Sequence, residues 1–322
     1  MDPHWTDLTG NTSVDYIQDN RQTPFFLMMS FSAIHDPLIE RADSIRMWRE
    51  NPLSEKPENN PIIAAILSRL DRNLGMVSVE GVELSAPHHM VSLFNSLTSG
   101  GPTEAETQQK ITELGGIVYF AHPGRYVDRW GLTAHWYVDM YLRFDVLIVQ
   151  AVFNRVDNHQ GDREFFDKIV HILGHERPVW LFSEDDMHRE TTLGWNRDVI
   201  LIENFRPGSL RPEIQDGSAR DVYLALRNGH SWLWKPSEQY IKRAFNITNV
   251  TFTDNRVTLT IDDQGNVKEI RWVTHNPNTG ISETVHYGNS ISESNVPAWG
   301  KFVRAEIEGG EGTIYTQSFY LK

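Results

Sequence analysis

The spacing of apolar positions along this chain of 322 residues changes twice, and each change marks a region. In residues 1–79 a helix-like stretch (14–20) precedes an apolar run (25–34) that reads as a strand. A polar, proline-containing stretch follows at 51–61. Ile63, Ile66, Leu67, Leu70 and Leu74 then recur at helical spacing and predict a helix over 62–76. In residues 80–243 short apolar runs alternate with helical segments. Thr103 and Glu106 form a Thr-x-x-Glu capping box, and Gly115-Gly116 stops the helix that the box opens. Further helices are predicted at 133–142, 162–173 and 218–228, and strands near 145–153, 178–183 and 198–203. Strands alternating with helices of this length imply βαβ units and a parallel sheet or barrel. From residue 244 the period falls to two, as in Val257-Thr258-Leu259-Thr260-Ile261, with turn residues such as Gly309-Gly310 between the runs. Residues 244–322 therefore read as a small antiparallel β domain.

Several β-like runs of the middle region carry metal-type ligands at their ends. They supply Glu83, His122, Asn154, and Asp186 with His188. In a βα-repeat fold the carboxyl ends of the strands share one rim, so these residues are expected to converge on one cleft. Such a set suits a divalent metal.

Composition narrows the chemistry. There are no cysteines, which excludes disulfides, thiolate metal sites and thiol nucleophiles. Any metal is therefore held by histidine, carboxylate, amide or water. Acidic residues number 43 against 30 basic ones, a formal charge of −13, and no basic block gives a nucleic-acid footprint. The amino terminus has no signal-peptide pattern, and no run approaches the ~18 apolar residues of a membrane span. The localisation expected by default is cytoplasmic, and the oligomeric state is open.

The middle region resembles the polymerase and histidinol phosphatase (PHP) superfamily of metal-dependent phosphoesterases. The resemblance rests on Gly81-Val82-Glu83-Leu84-Ser85, His88-His89-Met90-Val91-Ser92, Phe120-Ala121-His122-Pro123-Gly124-Arg125, Val152-Phe153-Asn154 and Ser183-Glu184-Asp185-Asp186-Met187-His188. It implies a distorted (β/α)7 barrel with bound Zn, Mn or Fe and a small phosphorylated substrate. Carried over, Glu83 resembles the bridging carboxylate, and His89, His122, Asp186 and His188 resemble further metal ligands. His88 is the alternative to His89, which is preferred because it directly precedes the apolar run. Arg125, which can neutralise a phosphate, and His188 are the candidate catalytic residues. The family's opening His-x-His motif has no counterpart before Glu83. The expected activity is thus a phosphoester hydrolase weakened or silenced by lost ligands, the alternative being a non-catalytic metal-binding or scaffold remnant.

Residues 13–77 resemble a different family, the sulfatases, through the strand-like run ending Ser32-Ala33-Ile34-His35-Asp36-Pro37 and the helix beginning Asn60-Pro61. His35 matches that motif's histidine, but no Cys/Ser-x-Pro-x-Arg nucleophile motif is present, so sulfate-ester hydrolysis is the third choice. The expected fold is α/β: a partial distorted (β/α)7 barrel over 80–243, a β domain over 244–322, and a sulfatase-like α/β fragment over 1–79. His135, His159, His171, His175, His230, His275 and His286 lack a partner spacing and are read as surface or core groups. Trp232 and Trp234 are read as a buried aromatic pair.

Overall fold

A computed structural model of the chain describes residues 81–84, 88–95, 97–143, 147–154, 161–186, 195–201, 215–238, 245–253, 255–262 and 264–321. The sulfatase-like segment with His35, and His188, lie outside the described residues.

The alternation of the middle region is real over three strands. β3 (Ile117–Phe120), β4 (Leu147–Asn154) and β5 (Trp180–Glu184) pair in parallel. Helices α2 (Pro123–Trp130) and α3 (Ala134–Arg143) connect the first pair, and α4 (Asp162–Leu173) connects the second. Ahead of them, β1 (Gly81–Leu84) and β2 (Met90–Leu93) are antiparallel to each other, and β2 is antiparallel to β3. The five-residue connection 85–89 is far shorter than the dozen or so residues a parallel crossover requires. The sheet order is β1-β2-β3-β4-β5.

Among the described residues there is no closed barrel, and antiparallel sheets predominate. The (β/α)7 expectation is overturned. The reason lies at the outer edge of β5. The Gln317 side chain accepts from the Leu181 N–H at 2.8 Å and donates to the Leu181 carbonyl at 3.0 Å. The Ser183 N–H donates to Asp198 Oδ1 at 3.1 Å. Backbone groups that a next barrel strand would pair are satisfied by side chains instead.

The next strand turns elsewhere. β6 (Arg197–Ile200) pairs antiparallel with β7 (Ser231–Pro236) after helix α5 (Gln215–Arg227). β7 then joins β14 (Gly312–Thr316), in a sheet completed by β13 (Arg304–Gly309), β10 (Val267–Asn276) and β11 (Ile281–Tyr287). Its order is β11-β10-β13-β14-β7-β6, so hydrogen bonding runs across residue 243. A third sheet, β12 (Ser290–Ser292), β9 (Arg256–Asp262) and β8 (Asn246–Thr253), shares an apolar core with it. Trp232 and Trp234 are both buried in that core, as their aromatic pattern suggests.

Both faces of the first sheet are covered, which is why β3 reads as an unbroken apolar run. Val118 and Phe120 pack with Tyr137 and Tyr141 of α3 and with Phe166 and Ile169 of α4. Ile117, Tyr119 and Phe182 pack on Val222, Ala225 and Leu226 of α5. Helix α1 (Glu104–Glu113) starts on the foreseen capping box: Thr103 Oγ1 accepts from Glu106 N–H, and Glu106 accepts from Thr103 N–H. It ends at Gly115, whose φ of 69° suits glycine. No described helix is long and apolar enough to cross a membrane.

α4 is clamped to the six-stranded sheet by a buried ion pair. Arg304 donates to Asp167 through two 2.7 Å bonds and to Glu306 at 2.8 Å. Burial alone would push the Glu306 carboxyl up, but Arg304 and Arg163 pull it down to about 2.

Candidate metal centre

Ligand-type side chains meet at one edge of the five-stranded sheet, although the strands carrying them do not all run the same way. His122 follows the carboxyl end of β3, and Glu184 and Asp186 stand at and beyond the end of β5. Because β2 is antiparallel, its start lies against the end of β3, with Met90 opposite Phe120. His89, just before β2, is drawn in by a 3.1 Å bond from the Ala121 N–H to its carbonyl. Glu83 arrives from β1, where it faces Val91.

One donor atom from each of Glu83, His89 and His122 lies within 4.8 Å of the others. His89 Nδ1 is 2.7 Å from Glu83 Oε1, an ion-pair contact. His122 Nε2 lies 3.7 Å from Glu83 Oε1 and 3.6 Å from Asp186 Oδ2. The His89 and His122 rings are 5.3 Å apart between centroids, inclined by 67°. Two imidazoles on one tetrahedral ion, with bonds of about 2.0–2.1 Å, hold their centroids about 5 Å apart. The pair has that spacing.

His122 is fixed from behind. Its Nδ1 is 2.9 Å from Glu184 Oε1, which also accepts its backbone N–H at 3.1 Å. A carboxylate on one ring nitrogen sets the tautomer and aims the other nitrogen at a metal, the usual outer support of a ligating histidine. His122 holds φ 44°, ψ 52° and Asp186 holds φ 44°, left-handed conformations that non-glycine residues rarely adopt. Pro123 at the first helical position lets α2 start directly from that turn. Burial disfavours the His122 imidazolium, but Glu184, Glu83 and Asp186 outweigh it and raise the pKa to about 10.

The remaining sequence candidates divide. His88 does not join the cluster: it is fully buried, donates from Nδ1 to the His89 carbonyl at 2.8 Å and accepts from the Tyr137 hydroxyl at 2.8 Å. Burial, assisted by the nearby His122, His89 and Arg125, lowers its pKa to about 3 despite the His89 carbonyl. Arg125 is half-buried on α2, and its side chain reaches the Tyr126 hydroxyl, which accepts the His89 N–H at 3.1 Å. Asn154 ends β4 opposite Glu184.

Glu184, Tyr119, Tyr126 and Asp162 were not foreseen. Glu184 sits in an acidic run, where nothing but the geometry distinguishes it from Asp185 and Asp186. Tyr119 is buried, and its hydroxyl is pushed well above its ordinary range by burial and then by Glu184. Asp162, 2% exposed, accepts the Gly124 N–H; burial and then Glu184 raise its carboxyl to about 8.

Two imidazoles and a carboxylate, with a second carboxylate beside them, are a donor set that zinc, manganese or iron accepts. Comparison with protein-family models, with characterised proteins and with solved structures gives no match.

Proposed function

We propose that Glu83, His89, His122 and Asp186 hold a divalent metal ion (Zn, Mn or Fe) and that the site hydrolyses a small phosphorylated substrate. The observation carrying this reading is the approach of the Glu83, His89 and His122 donor atoms to within 4.8 Å, with Glu184 behind His122. An ion bound there lowers the pKa of a coordinated water and polarises a phosphoryl oxygen. Glu184 orients His122, the Tyr126 hydroxyl holds the backbone of His89, and Arg125 offers its planar cation to the phosphate. His188 enters through the motif resemblance alone.

The test is metal content together with phosphate release from an aryl phosphate, in wild type and in Glu83→Ala/His122→Ala. About one equivalent or more of metal, lost in the variant along with metal-dependent turnover, supports the reading. A folded wild type that takes up no Zn, Mn or Fe removes it. A second reading, a non-catalytic ion-pair cluster, is favoured by one observation: the three carboxylates around His122 already stabilise a proton on it. No uptake selects that reading, whereas metal uptake without turnover selects a non-catalytic metal site.

A further inference from the structure

We propose that His171 and His275 form a second cation site, for a late first-row divalent ion such as zinc, on the seam between α4 and the six-stranded sheet. His171 lies in the last turn of α4, and His275 lies on β10 and is 2% exposed. The Nδ1 atom of each is buried and has no hydrogen-bond partner. An unsatisfied buried ring nitrogen is costly, and two on neighbouring rings can be satisfied by one shared partner. The ring centroids are 5.4 Å apart and the planes are inclined by 59°. That separation matches the roughly 5 Å expected for two imidazoles on one tetrahedral ion.

The seam holds the pair rigidly. Asp167, one turn before His171, accepts from Ser282 Oγ at 2.7 Å and from the buried Arg304. Ser282 is the direct partner of His275 in the β10–β11 ladder, and Arg304 is the partner of Val273. Both of these Asp167 bonds therefore lie within a turn or two residues of the paired rings. His171 is half-buried, so solvent reaches this side of the seam and water can complete the coordination. The surrounding charges are mixed. Asp167, Glu164 and Lys168 act on His275, and Lys301 acts on His171. Asp167 is committed to Arg304 and Ser282, so the two imidazoles are the principal donors. An all-imidazole site prefers zinc, nickel or copper to manganese or magnesium, unlike the mixed site at Glu83.

The experiment is equilibrium dialysis of the chelator-stripped full chain against zinc, with excess manganese as competitor. Glu83→Gln/His122→Gln, which empties the first site whatever its function, is expected to retain about one zinc that manganese does not displace. Adding His171→Gln to that background is expected to remove the zinc, and adding His275→Gln instead is expected to do the same. Zinc retained in both of these variants overturns the proposal. So does a folded Glu83→Gln/His122→Gln protein that binds no zinc.

Discussion

His122 concentrates the chemistry of the candidate centre: it is buried, left-handed in its backbone, and bracketed by three carboxylates. If Glu184 aims its second nitrogen at a metal, Glu184→Gln should weaken metal affinity by about 10–100-fold, read by competition with a chromogenic chelator. Unchanged affinity would make Glu184 a bystander. Without metal the same cluster has a pH signature. The folded pKa of about 10 lies above the ordinary 6.5, so the stabilisation is complete below 6.5 and is lost as pH rises through 10. Urea unfolding of chelator-treated protein should show stability falling between pH 7 and 10, with a smaller fall in His122→Gln. Equal falls in the two proteins would contradict the assignment. Much of this centre was legible in the sequence, because Glu83, His89, His122 and Asp186 all stand at or beside the ends of short apolar runs. Glu184, Tyr119 and Asp162 were not, since a carboxyl or hydroxyl acquires its role only from neighbours that the chain brings from far away. Glu184 acts on the Asp162 carboxyl, a relation that no spacing encodes.

At the scale of elements, strong periodicity succeeded and weak patterns failed. Helix α4 spans the residues predicted, 162–173, because its apolar positions recur over three turns. α2 was missed: eight residues opened by Pro-Gly and started from a left-handed histidine leave little pattern to read. The arrest of the sheet at β5 was also hidden, because the residue that covers its edge lies 136 positions away in sequence. Gln317→Ala should leave the Leu181 N–H and carbonyl buried without partners and cost about 1–3 kcal/mol in urea denaturation. A loss of a few tenths would mean that another group covers that edge.

Over the whole molecule, an open mixed sheet with helices on both faces is welded to an antiparallel sandwich. β7 is hydrogen-bonded to β14, while Phe302 and Tyr315 reach back into the core under β2 and β3. A chain ending at residue 243 would lose those side chains and bare the edge of β7. It should unfold without a cooperative transition or aggregate, as read by circular dichroism and light scattering. A sharp transition from that fragment would show that the first sheet is self-sufficient. Alternating strand and helix patterns left a parallel sheet or a barrel open, because they report which segments are strands, not which edges meet; the barrel came from the family resemblance. The clustering of Glu83, His89 and His122 survives that change of architecture, since an antiparallel β2 starts where β3 ends. The ion proposed at this edge is tested most directly by anomalous diffraction from metal-loaded crystals at the metal's absorption edge. A peak about 2.0–2.2 Å from donor atoms of Glu83, His89 and His122 is the expected result. A map without that peak, with His122 still paired to the carboxylates in the presence of excess metal, would contradict it.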